Sequence, residues 1–163
     1  MTLPSQSALE SLWPDVTLKH VVTFSVPGHP VPKPRARVRQ GQGGYYPDRP
    51  RGSKRLSYPE YRELVQVQCL RMLGDLECDL SGRLRMSRGW PVNEWNYHQF
   101  LLVVVAVCNQ GDAESVSGTI ADALEGLIWA NDKQVRNVNW CVRGRKPSEA
   151  GLVVGIWEIE GGL

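Results

Sequence analysis

The sequence predicts an α+β domain, a mixed or antiparallel sheet of about four strands with two main helices packed on it. Three observations carry this. The longest apolar run, Phe100 to Cys108, is mostly β-branched and falls well short of the roughly twenty residues of a membrane span, so it reads as a buried central strand. Two other segments repeat their apolar residues at helical spacing. The elements follow the order strand, loop, helix, strand, helix, strand, strand. A chain of 163 residues is the size of one domain and buries a core without disulfides or metals.

Met1 to Lys19 reads as a loose N-terminal extension with a short helical piece around Ala8–Trp13, ahead of a domain over residues 20–163. Its first seventeen residues have neither a basic start nor an apolar stretch, against a secretory signal. His20–Val26 is β-branched and ended by Pro27-Gly28, which predicts a strand. Pro30, Pro32 and Pro34 forbid a helix and favour extended backbone. Tyr45-Tyr46-Pro47, after Gly41-Gln-Gly-Gly44, forms the far side of a loose hairpin.

Ser57-Tyr-Pro-Glu60 is a capping-box pattern. The apolar residues Tyr61, Leu64, Val65, Cys69 and Met72 then predict a helix as far as Gly74. Leu76 to Tyr97 is polar and broken by Gly and Pro, a loop. Ser115 to Ile128 is the second helix. Val116, Ile120, Ala123, Leu124 and Leu127 line one side of it; Glu114, Gly118, Asp122 and Glu125 fall on the other. Gln134–Val142 and Leu152–Glu158 close the sheet, with a turn at Lys146-Pro147. The four scattered cysteines (Cys69, Cys78, Cys108, Cys141) form no CxxC pair; they argue against structural zinc and fit a reducing cytoplasm.

A formal net charge of +2 hides a separation. His29–Arg55 carries Lys33, Arg35, Arg37, Arg39, Arg49, Arg51, Lys54 and Arg55 against Asp48, a net +7. Gln110–Asp132 carries Asp112, Glu114, Asp122, Glu125 and Asp132 with no Lys or Arg, a net −5. Lys33, Arg35, Arg37 and Arg39 alternate, and alternate residues of an extended chain share a face. Such a comb suits a phosphate backbone, with Tyr45 and Tyr46 for stacking. The same charges would also serve a solvated loop or a site for an acidic protein.

Asp112-Ala-Glu114 lies between a strand end and a helix start, and Asp132 follows the same helix. Carboxylates brought together supply hard oxygen ligands for Mg²⁺, the ion that assists phosphodiester hydrolysis. The acids read equally as helix-start charges and a solvated face. Spacing alone does not bring Asp132 to Asp112. There is no Walker loop or GxGxxG, and His20, His29 and His98 are scattered, so phosphate-loop, dinucleotide, histidine-zinc and triad classes find no support. The tryptophans read as core or interface anchors.

Two motifs in order resemble the RusA-like Holliday junction resolvases. They are Val26-Pro-Gly-His-Pro-Val-Pro-Lys-Pro-Arg-Ala-Arg37, and Asp112-Ala-Glu-Ser-Val through Ala121-Asp-Ala-Leu-Glu-Gly126 to Trp129-Ala-Asn-Asp-Lys-Gln-Val135. The resemblance covers about residues 21 to 158. It implies a homodimeric, Mg²⁺-dependent endonuclease (Mn²⁺ substituting) of bacterial, phage or prophage origin that nicks four-way DNA junctions symmetrically. The catalytic and metal-binding carboxylates fall on Asp112, Glu114 and Asp132, with Asp122 a further acidic position. The DNA-binding residues are Lys33, Arg35, Arg37 and Arg39. The resemblance also implies that the three carboxylates meet. Four positions depart from the family pattern: its second Asp is Glu114, the following Asn is Ser115, its catalytic Lys is Gly118, and the first residue of its later acidic pair is Asn131. Lys133, Arg143, Lys146 or the basic arm are the cations available in place of that Lys. The expected function is a junction-resolving endonuclease acting in DNA recombination and repair. The alternatives are a catalytically impaired DNA-binding protein with the same fold, and an adaptor for an acidic protein.

Overall fold

The Phe100–Ala106 run is buried on both faces, as a central strand must be: Leu101, Leu102, Val103 and Val104 are each at most 2% exposed. In the computed structural model the described residues are 2–33, 37–39, 42–45, 56–74, 76–78, 84–86, 99–108, 113–143 and 150–160. Among them the strands are β1 (Thr17–Pro27), β2 (Arg37–Arg39), β3 (Gln42–Tyr45), β4 (Leu76–Cys78), β5 (Leu84–Met86), β6 (Gln99–Cys108), β7 (Val135–Arg143) and β8 (Gly151–Glu160). The helices are α1 (Gln6–Glu10), α2 (Tyr58–Leu73) and α3 (Ala113–Leu124).

The main sheet has the order β1-β8-β6-β7. β8 runs antiparallel to both β1 and β6, whereas β6 and β7 are parallel, from Phe100 opposite Val135 to Cys108 opposite Arg143. The sheet is therefore mixed, as expected. A parallel neighbour requires a crossover, and α3 supplies it.

Each helix ends for a readable reason. The Ser57 hydroxyl accepts from the Glu60 amide, and the Glu60 carboxylate accepts from the Ser57 amide, so the predicted capping box starts α2. Gly74, at φ +74, stops it in the left-handed conformation that glycine adopts without a Cβ penalty. α3 stops at Leu124, four residues before the predicted Ile128. Gly126 at φ +79 reverses the chain, and its amide donates to the Trp129 carbonyl at 2.7 Å.

α2 and α3 cover one face of the sheet. Tyr61, Val65, Cys69, Val116, Ile120, Leu124 and Trp129 pack there on Phe24, Phe100, Leu102, Val104, Val154 and Ile156. The other face is covered by the N-terminal segment, where Leu9, Val16 and Leu18 pack with Leu101, Val103 and Trp157. The extension expected to be loose is therefore packed, with Leu9 fully buried, and the first strand begins at Thr17 rather than His20. Trp13, Trp129 and Trp157 are core anchors, as read from the sequence. The Leu76–Tyr97 segment, expected to be a loop, contains the paired strands β4 and β5. The expected loose hairpin is found as β2 against β3, Arg37 opposite Tyr45 and Arg39 opposite Gln42.

Candidate functional site

The β6–α3–β7 crossover positions the acidic residues. Glu114 sits exposed in the first turn of α3, just past the C-terminal end of β6. Asp132 is also exposed, but it lies beyond the opposite end of α3, three residues before Val135, the partner of Phe100 at the start of β6. The twelve residues of α3 rise about 18 Å between these ends. One chain thus holds Glu114 and Asp132 at opposite ends of the parallel strands β6 and β7. Asp112 lies outside the described residues. Among the described residues no group of three or more His, Cys, Asp or Glu is placed to hold a metal ion.

Asp132 is presented by a built turn. Asn131 caps it, its side chain accepting from the Lys133 amide at 2.9 Å. The Gln134 side-chain oxygen accepts from the Ala130 and Asn131 amides at 2.9 and 3.0 Å. Gln134 is buried while Asp132 and Lys133 face solvent. The asparagine at this position therefore performs the capping that an aspartate would perform. The signal for the turn was present in the sequence, since Asn131-Asp-Lys-Gln134 has the same capping spacing as Ser57-Tyr-Pro-Glu60.

Asp122 is engaged differently. Its carboxylate oxygens lie 2.9 and 3.0 Å from the Lys33 ammonium, and the Tyr58 hydroxyl donates to it at 2.5 Å. An Arg62 guanidinium nitrogen donates to the Asp122 carbonyl at 2.6 Å, and the Gln66 amide to the Ala123 carbonyl at 2.8 Å. These are carbonyls of the last helical turn, which have no intrahelical donor; α2 thereby caps α3 from the side. Sequence reasoning missed Tyr58 and Arg62, which sit four apart on α2 and carry no motif of their own.

The start of the basic arm is docked on the same helix. The Lys33 amide donates to the Ser115 carbonyl at 2.9 Å, and the Thr119 hydroxyl donates to the Val31 carbonyl at 2.8 Å. The Lys33 side chain runs across Gly118, where a Cβ would stand 3.5 Å from Lys33 Cδ. Arg37 and Arg39 lie on β2, and Arg35 lies outside the described residues. Of the four-residue comb, Lys33 is thus turned onto α3.

The chain matches the family model described as endodeoxyribonuclease RusA over residues 27–156. It belongs to the RusA family. The match spans both the Pro-rich arm and the whole β6–α3–β7 crossover. RusA membership implies endodeoxyribonuclease activity on branched DNA and accounts for a basic arm and an acidic crossover in one domain. No curated protein matches the chain significantly. Among the described residues no helix is long and apolar enough to cross a membrane.

The donor chemistry of Asp112, Glu114 and Asp132 fits a hard divalent cation, which takes carboxylate oxygens. The geometry of one chain does not, because Glu114 and Asp132 occupy opposite ends of α3.

Proposed function

We propose that this RusA-family protein is a Mg²⁺-dependent endonuclease that resolves four-way DNA junctions by paired symmetric nicks, with Mn²⁺ able to replace Mg²⁺. The observation that carries the reading is the family match across the arm and the crossover. Support comes from the charge separation, +7 in the arm against −5 from residue 110 to 132.

Asp112 and Glu114 are the carboxylates proposed to hold the metal at the start of α3. Asp132, held outward by the Asn131–Gln134 turn, completes the set from a second copy. A homodimer is the arrangement in which the partner subunit's Asp132 approaches Glu114, since the crossover keeps the two apart within a chain. A two-fold axis also provides two sites for two strands. A bound divalent ion supplies phosphate polarisation and a hydroxide at neutral pH. The chain's own part is to hold the DNA backbone with Arg35, Arg37 and Arg39, on an arm that Lys33 roots to α3, and to place the scissile linkage beside the carboxylates. Its arm contacts carry salt-dependent affinity and no base information.

The test is a labelled synthetic four-way junction incubated with protein and Mg²⁺. Asp112→Asn is expected to abolish nicking while leaving junction binding, read by gel shift, within about threefold. Unchanged nicking by that variant would refute the carboxylate role. Tight binding by the wild type with no nicks in Mg²⁺ or Mn²⁺ would establish the impaired binding protein instead, a reading favoured by Gly118 standing where the family pattern has its Lys.

A further inference from the structure

We infer that Asp122 is a positioning residue: it clamps Lys33 across Gly118 and so fixes the root of the DNA-binding arm to the helix that carries Glu114. The inference rests on the proposed nuclease reading for its consequence, and on the structure alone for its geometry.

Both Asp122 oxygens are occupied. Lys33 lies 2.9 and 3.0 Å from them and Tyr58 donates to one, so a metal ion at this carboxylate would have to displace an ammonium and a phenol. The Asp122 side chain is only 19% exposed. Ser115, Gly118 and Asp122 follow one another at helical steps of three and four, so they share a face of α3. Lys33 lies along that face. Its amide is tied to Ser115, its alkyl stem passes over Gly118, and its ammonium ends on Asp122. A Cβ at position 118 would stand in ordinary van der Waals contact with that stem, 3.5 Å from Cδ, so an alanine is accommodated and only a longer side chain would reach into its path. The Thr119 bond to the Val31 carbonyl adds a further tether.

The consequence is register. The tied backbone amide of Lys33 lies one residue from Glu114 along α3, so the arm departs from the helix at the acidic end of the crossover. Whatever phosphate the arm grips is thereby held at a fixed offset from Glu114. The root of the arm, Val31 to Lys33, is thereby tied to the first turns of α3, and the clamp residue acts through Lys33 without touching DNA or metal.

Hydrogen exchange tests this directly. Pro30, Pro32 and Pro34 have no amide hydrogen, so Val31 and Lys33 are the exchanging amides of that stretch. In Asp122→Asn the shape is kept and Tyr58 still has an oxygen to donate to, but the ion pair is lost. The Lys33 amide is expected to exchange about tenfold faster. Lys33→Met should do the same, and the double variant should be no worse than either single one, because both remove one interaction. Gly118→Leu, a change that favours the helix, should also accelerate that exchange by pushing the stem aside while sparing every carboxylate. In nicking assays all three single variants should lose about five- to twentyfold in rate, with the Mg²⁺ concentration for half-maximal nicking unchanged within twofold. A tenfold or greater rise in that Mg²⁺ requirement for Asp122→Asn, with Lys33 exchange unaltered, would overturn the clamp and make Asp122 a metal ligand. If the wild type nicks nothing, the nuclease reading fails on its own, and the exchange measurements still decide the clamp.

Discussion

Trp129 offers the most quantitative check on how the acidic crossover is held. Its side chain is fully buried, lies against Phe100 with ring centroids 6.0 Å apart, and donates its indole N–H to the Ala121 carbonyl at 3.3 Å. Trp129→Ala removes the whole ring, and truncations of this kind cost about 3–5 kcal/mol. Trp129→Phe keeps one ring and loses the indole donor. The decisive detail is that the Ala121 carbonyl also accepts the Glu125 amide at 3.1 Å. It therefore stays satisfied, and no penalty for an orphaned buried group is added. The loss is then about 2 kcal/mol, from a few buried ring atoms and a weak hydrogen bond. Urea unfolding with a common slope would read both values. Thermal midpoints should fall by roughly 2–4 °C for each kcal/mol in a domain of this size. A Phe variant as unstable as the Ala variant would show that the indole hydrogen bond, and not ring packing, anchors the chain after α3. An Ala variant costing less than about 1 kcal/mol would show that the pocket is not closed.

Three further outcomes are expected. Gln134→Ala leaves two backbone amides at the Asp132 turn without their acceptor and should cost about 1–3 kcal/mol with loss of nicking, while Gln134→Glu, which keeps the oxygen, should retain most of both; equal losses in the two would refute the acceptor role. Burial pushes the Cys69 thiol from an ordinary 9.0 up to about 12. Between those values the unfolded chain releases a proton that the folded chain keeps, so stability should fall as pH rises from about 9 toward 12, and Cys69→Ala should flatten that part of a pH–stability curve. Mixing Asp112→Asn with Asp132→Asn subunits should restore single nicks if each site draws carboxylates from two chains, because one of the two sites in the mixed dimer is then intact; a mixture as inactive as its parents would confine each site to one chain.

Much of the fold was legible because the signals were local. The β-branched run at Phe100–Cys108, the Ser57–Glu60 capping box and the Val116–Leu127 periodicity each specify their element through nearest neighbours. Two errors have local physical causes. Apolar spacing continues through Leu127 and predicts a helix as far as Ile128, while Gly126 at φ +79 breaks the backbone before the pattern ends. The first residues carry no local signal for packing, because only the tertiary fold reveals the apolar face on which Leu9 and Val16 land. The site was legible in identity and not in arrangement. The sequence marks Glu114 and Asp132 as acids at the two ends of a helix, but only the parallel pairing of Phe100 with Val135 reveals that the sheet does not bring them back together within one chain. Asp122 looked like one more acid on a polar face. Its partner Lys33 is 89 residues away along the chain, a separation no periodicity reports.

The strand order also has a consequence for how the protein is made. Among the described strands β8 is translated last, yet it occupies an interior place, hydrogen-bonded to β1 on one side and β6 on the other. On the ribosome, β1 waits with its edge unmatched until Gly151–Glu160 emerges. Pairing over such long loops is slow. A chain interrupted before β8 leaves the edges of β1 and β6 open, so the expected fate of the fragment is degradation or aggregation rather than a persistent, half-built DNA-binding arm.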